Sequence, residues 1–99
     1  MDIRIQAVHF EPTGKLVDFI EKKVSKLGKF SDEIGKVEVS LKVVKPETAM
    51  NKEVAIRGAM PGKELYAQEV CNTFEEAIDK IMDSLTRQLS KYKEKQKNR

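Results

Sequence analysis

The chain has 99 residues and a formal net charge of +3, with 35% charged and 39% hydrophobic residues. That length fits one domain with a thin core, and the composition is too apolar for a disordered chain. A single cysteine, Cys71, excludes an internal disulfide, and with the lone His9 it cannot build a metal cluster. No apolar run approaches the roughly 20 residues needed to span a membrane, and the N-terminus alternates instead of presenting a secretory hydrophobic stretch. A cytoplasmic protein is the expectation.

Charge placement says more than the total. From Arg87 onward, Lys91, Lys93, Lys95, Lys97 and Arg99 join it against Glu94 alone, a net +5 that leaves −2 for the rest of the chain. A basic end on a near-neutral body points to a polyanionic partner.

In chain order, residues 2–10 alternate, with Ile3, Ile5 and Ala7 on one face, and predict a half-buried strand. Pro12 and Gly14 break it, and Thr13 is placed to cap a helix running to about Phe30. Leu16, Ile20, Val24 and Leu27 give that helix one apolar stripe. Val37, Val39, Leu41 and Val43 alternate with polar residues and predict a second strand. Val54, Ile56 and Gly58 predict a third, ended by the turn Met60-Pro61-Gly62, and Leu65, Ala67 and Glu69 a short fourth. Short connections favour antiparallel hairpins. Thr73 with Glu76 fits a capping box. Phe74, Ile78, Ile81, Leu85, Leu89 and Tyr92 then keep a helical period to about Lys95. The order β-α-β-β-β-α defines an α+β fold, a four-stranded sheet with both helices on one face, because that arrangement hides both apolar stripes. The domain is expected to span residues 1–95, with 96–99 a frayed basic tail.

Projected at roughly 100° per residue, Lys80, Arg87, Lys91 and Lys95 lie roughly 180–260° from Ile78, opposite the core. Lys15, Lys22, Lys26 and Lys29 lie roughly 180–240° from Ile20. Asp18, Glu21, Glu76, Asp79, Asp83 and Glu94 cluster at roughly 100–160° on their own helices. Each helix therefore sorts its solvent face by sign. If the helices pack side by side, the two lysine stripes make one basic surface. Lys23 and Lys93 fall at the core flanks. One such stripe more often serves only solubility; two stripes and a basic tail favour phosphate binding without base reading. His9 reads as structural, Cys71 as a core filler, and Asp79 with Asp83 as a solvated pair. No phosphate-cradling glycine loop is present, and an enzyme is not expected.

The segments TGKLVDFIEKKVSKLGKF (13–30), VEVSLKV (37–43) and TFEEAIDKIMDSLTRQLSKYKEK (73–95) stand in the order and spacing of one family. The chain resembles the ribosome hibernation promoting factors, which include the ribosome-associated inhibitor proteins and were once described as sigma-54 modulation proteins. The resemblance implies a fold similar to a double-stranded-RNA-binding domain. It implies binding to the small ribosomal subunit, in the channel for messenger RNA and for A- and P-site transfer RNA, and a steric block of translation without a cofactor. It places Lys22 and Lys23 in the family's basic first-helix segment, Arg87 in its R-Q-L element and Lys91, Lys93 and Lys95 in its basic helix end. Together with Lys26, Lys29 and Lys80 from the projection, these are the candidate ribosomal RNA contacts. Ser84 departs from the family, which often has a lysine there; Lys80 is placed to substitute. The length resembles a short-form member, which usually works with a separate modulation factor to form ribosome dimers. Neither DNA nor a membrane is an expected partner. The alternatives are a general double-stranded-RNA-binding module and a protein-interaction module using the exposed sheet face.

Overall fold

A computed structural model describes residues 1–45, 47 and 49–97, with the backbone alone for 95–97. The elements are β1 (Asp2–Ala7), α1 (Gly14–Val24), α2 (Leu27–Phe30), β2 (Lys36–Val43), β3 (Lys52–Met60), β4 (Lys63–Cys71) and α3 (Phe74–Lys97). The sheet order is β1-β2-β3-β4. β1 and β2 are parallel, joined through α1, whereas β2–β3 and β3–β4 are antiparallel. The expected α+β architecture is the one observed.

Strand alternation decides which side is buried. Val37, Val39 and Leu41 of β2, Val54 and Ile56 of β3 and Leu65 of β4 point into the core. Leu16, Ile20, Val24 and Leu27 cover them from one helix, and Phe74, Ala77, Ile78, Ile81, Met82, Leu85 and Leu89 from the other. Each fully buried aliphatic side chain contributes roughly 1.5–3 kcal/mol. Both helix starts use the predicted hydroxyls: Thr13 Oγ1 accepts from Leu16 N and Thr73 Oγ1 from Glu76 N, each at 3.1 Å. At the β3–β4 turn, Pro61 presets a negative φ and Gly62 takes φ +71°, which costs a glycine nothing.

Three boundaries differ from the sequence expectation. The first helix does not run unbroken to Phe30. It stops at Val24, turns through Ser25 and Lys26, and resumes for one turn in α2. Ser25 Oγ donates to Lys22 O, while Lys26 N, Gly28 N and Lys29 N each bond three residues back, the tighter 3₁₀ pattern. The first strand ends at Ala7 rather than Phe10. His9 adopts φ +63° and turns outward, while Phe10 folds back to stack on Phe74 with ring centroids 5.5 Å apart. The fourth strand is longer than expected, nine residues ending at the fully buried Cys71.

The sheet's other face is uncovered. Arg4, Glu38, Arg57 and Tyr66 stand in one cross-strand row. Arg57 pairs with Glu64 at 3.2 Å, Lys36 with Glu38 at 3.3 Å and Arg4 with Asp2 at 3.7 Å, and Gln68 donates to Glu53 at 2.7 Å. The face is polar, paired and balanced in charge. At the free edge of β4, the Gln88 amide of α3 imitates a neighbouring strand. It donates to Tyr66 O at 2.9 Å and accepts from Tyr66 N at 3.4 Å. This ties α3 to the sheet and occupies a backbone pair that would otherwise invite another strand.

Replacing Gln88 by Ala removes both bonds. Urea denaturation should show a loss of about 1–2 kcal/mol, and concentrated samples should self-associate more readily by light scattering. Burial pushes the Cys71 thiol above its ordinary pKa, with the Lys80 ammonium partly opposing. The fold therefore keeps the proton to higher pH than the unfolded chain does, and stability falls as pH rises past about 8.5. Native protein should resist alkylation at neutral pH, and the alkaline decline should be shallower in Cys71→Ala.

Candidate nucleic-acid interface

Because both helices return antiparallel to β1 and β2, α1 and α3 run in the same direction over the sheet. Each carries acids on one flank and bases on the other, so side by side the acidic flank of α3 faces the basic flank of α1. A cleft between them is lined by Lys23, Lys26, Phe30, Asp79, Met82, Asp83 and Thr86. Lys23 Nζ lies 3.2 Å from Asp79 Oδ1 and 5.5 Å above the Phe19 ring. On the far side of α1, Asp18, Glu21 and Lys22 line a second cleft with Met1 and Ile3 of the β1 edge. Signs thus alternate across the helical layer, and the two lysine stripes do not fuse along their length as the projection suggests. Asp79 and Asp83 separate them.

Along the helix axes the pattern is simpler. Glu75, Glu76, Asp79 and Asp83 outweigh Lys80 in the first half of α3, and Arg87, Lys91 and Lys93 outweigh Glu94 in the second. Lys22, Lys23, Lys26 and Lys29 occupy the C-terminal part of α1 and α2. Lys22 and Lys23 in the last turn of α1 and Glu75 and Glu76 in the first turn of α3 also complement the helix dipoles. With parallel helices, both basic ends fall at the same pole. There a cleft of about 510 Å³ is lined by Lys29 and Phe30 of α2, Ser31, Asp32 and Glu33 of the loop, and Tyr92 and Lys93 of α3. Tyr92 fixes the helix end: its hydroxyl lies 3.4 Å from Glu33 Oε2, and Lys63 Nζ sits 5.4 Å from its ring centroid.

The structure sorts the predicted residues. Lys22, Lys26, Lys29, Arg87, Lys91 and Lys93 are exposed on the helical layer or its pole. Arg87 leans back along its helix, its Nε donating to Asp83 O at 3.4 Å. Lys23 is half-buried and paired, and Lys80 sits in the acidic half, 3.9 Å from Glu76. The Lys95 side chain lies outside the described residues, as do 98 and 99 of the expected tail. At the departure from the family, Ser84 Oγ takes a bond from Gln88 at 3.3 Å and serves the edge contact instead of the basic surface. Sequence reasoning missed Phe30 as a surface residue; it is 40% exposed. Its position three residues past Leu27, beside Lys29, was the available signal. Among the described residues no cluster of three or more His, Cys, Asp or Glu side chains could hold a metal, and no helix is long and apolar enough to cross a membrane.

An α+β domain with a charge-balanced open sheet and a polar gradient along parallel helices has clear relatives. The family described as Sigma 54 modulation protein / S30EA ribosomal protein matches residues 3–97, and the chain belongs to it. A protein named ribosome hibernation promoting factor from Pseudomonas putida is 34% identical over 98 residues, 99% of this chain and 92% of the relative. One of the same name from Escherichia coli K12 is 33% identical over 97 residues, 98% of each. A ribosomal subunit interface protein from Coxiella burnetii superposes with a TM-score of 0.80 at 27% identity, covering 94% of this chain and 98% of that one. The Protein Y N-terminal domain of Thermus thermophilus shares the fold, with a TM-score of 0.78 at 24% identity.

If Asp79 and Asp83 divide the basic surface, neutralising them should unite it. Asp79→Asn with Asp83→Asn should elute from heparin at clearly higher salt than a control pair of the same charge change on the open sheet, Glu38→Gln with Glu53→Gln.

Proposed function

We propose that the chain is a ribosome hibernation factor that binds the small ribosomal subunit through the basic pole of its helices. In this reading it occupies the channel for messenger RNA and for A- and P-site transfer RNA and stops translation by excluding them. The observation that carries the proposal is a match over nearly the whole chain to hibernation factors, joined to one pole where Lys29 and Lys93 line a cleft and the exposed Arg87 and Lys91 stand on the same half of α3. The family consists of ribosome-associated factors rather than enzymes, and no bond need be made or broken. Promotion of ribosome dimers with a separate modulation factor, in the cytoplasm, belongs to the same proposal.

Within it, Lys22, Lys26, Lys29, Arg87, Lys91 and Lys93 neutralise phosphates. Lys23 and Lys80 stand in reserve. An exposed ion pair is worth under about 1 kcal/mol, so a phosphate can displace Asp79 or Glu76. Lys95 is carried by the helical projection and the resemblance. A general double-stranded-RNA module is disfavoured because a long duplex laid across both helices would set phosphates against Asp79 and Asp83. The sheet-face interaction module is disfavoured because that face is already internally paired.

Arg87→Glu with Lys91→Glu and Lys93→Glu should abolish co-sedimentation with small subunits while leaving the circular dichroism spectrum unchanged; retained pelleting refutes the basic pole. Wild-type affinity should fall roughly 10³-fold between about 50 and 200 mM salt if six phosphates are engaged. Excess free RNA duplex should not strip the protein from subunits at equal phosphate concentration; if it does, the general RNA-binding module is correct.

A further inference from the structure

Phe30 is anomalous on this surface. It closes the single turn of α2 with its ring 40% exposed, whereas Leu16, Ile20, Val24 and Leu27 are buried and Val17 and Phe19 half-buried. The ring lines two clefts at once, one shared with Lys29, Asp32, Glu33 and Lys93, the other with Lys23, Lys26, Asp79 and Asp83. It therefore stands as a partition where the inter-helix groove meets the basic pole. The tightened turn at Ser25 and Lys26 leads into α2, where Leu27 is buried and Phe30 is exposed.

We infer that Phe30 is a stacking platform for one unpaired nucleobase of the RNA that the basic pole holds. The inference rests on the proposed ribosome-binding role and names the kind of RNA element recognised there. Charge complementarity selects the occupant. A purely basic rim would suit a phosphate, but here lysines alternate with carboxylates. Lys29 and Lys93 can reach the phosphates on either side of an extruded nucleotide. Asp32, Glu33 and Asp83 can accept from exocyclic amines on a base edge, as carboxylates accept from cytosine N4. The apolar ring between them offers a π-face that any base can use. A base paired within a helix cannot enter, so the site favours a bulged or single-stranded nucleotide over regular duplex.

The chain has no tryptophan, so Phe30→Trp introduces a single fluorophore at the platform. On titration with purified small ribosomal subunits, its emission should be strongly quenched, as stacking against a base requires. Phe30→Leu, which keeps an apolar side chain without the π-face, should weaken subunit binding about tenfold or more, and Phe30→Tyr should restore it. A blue shift without quenching indicates a protein side chain over the ring and overturns the inference. So does an unchanged spectrum, or full affinity in Phe30→Leu. The pole variant Arg87→Glu with Lys91→Glu and Lys93→Glu separates the two claims. If it still binds subunits, the ribosome-binding reading of the pole fails. If it loses binding while Phe30→Leu does not, only the stacking platform fails.

Discussion

Because β1 and β2 pair in parallel, the chain must travel back along the sheet between them, and α1 is that return. The two antiparallel hairpins that follow leave β4 running in the direction of β1. α3 leaves β4 and must also return, so it runs parallel to α1. Both helices bury their stripes on one face, since only that face offers the row of Val37, Val39, Leu41, Val54, Ile56 and Leu65. The direction of two helices is thus fixed by the pairing of two strands, and the surface electrostatics inherit that choice.

Parallel helices with the same sorting of charge are related by translation. Translation sets unlike flanks together, and the Lys23–Asp79 pair at 3.2 Å marks where they meet. A mirrored arrangement would have joined lysine to lysine, a broad basic plate repelled by itself. The translated one is quieter across the layer and polarised along it. An exposed pair of this kind adds little stability. Its larger effect is on the field, since Asp79 and Asp83 cancel the nearby cations and leave the uncancelled ones at the far end of α3 and α2. With α3 24 residues long, roughly 36 Å, that pole sits well away from the acidic first turn.

Much of this was legible in the residues. Alternation in 37–43 gave the strand whose core-facing side is buried, and Thr13 and Thr73 cap where their hydroxyls said they would. The candidate lysines, apart from the half-buried Lys23 and the undescribed Lys95 side chain, are exposed as the projection required. The projection failed at one step for a definite reason. An angle measured from each helix's own core says nothing of which flank meets the neighbour until the relative direction is known. The break at Ser25 was hidden for another reason. The spacing of Val24 to Leu27 is three residues, which an α-helix and a 3₁₀ turn both accommodate, so Leu27 is buried either way. The early end of β1 was hidden because nothing in a lone histidine announces a positive φ.

The two faces of the sheet divide the work. On the open face Arg4, Lys36 and Arg57 each have a carboxylate partner, so that face offers a polyanion few uncompensated cations. Gln88 removes the other route by which a sheet gathers partners, its free edge. Ser84 contributes there as well, holding the Gln88 amide from one turn away. A lysine at that position would add charge at the edge of the helical layer but would forfeit this bond. Ser84 is therefore accounted for by the sheet edge. What remains on the helical side is one pole with exposed basic side chains, reached along the axes of both helices.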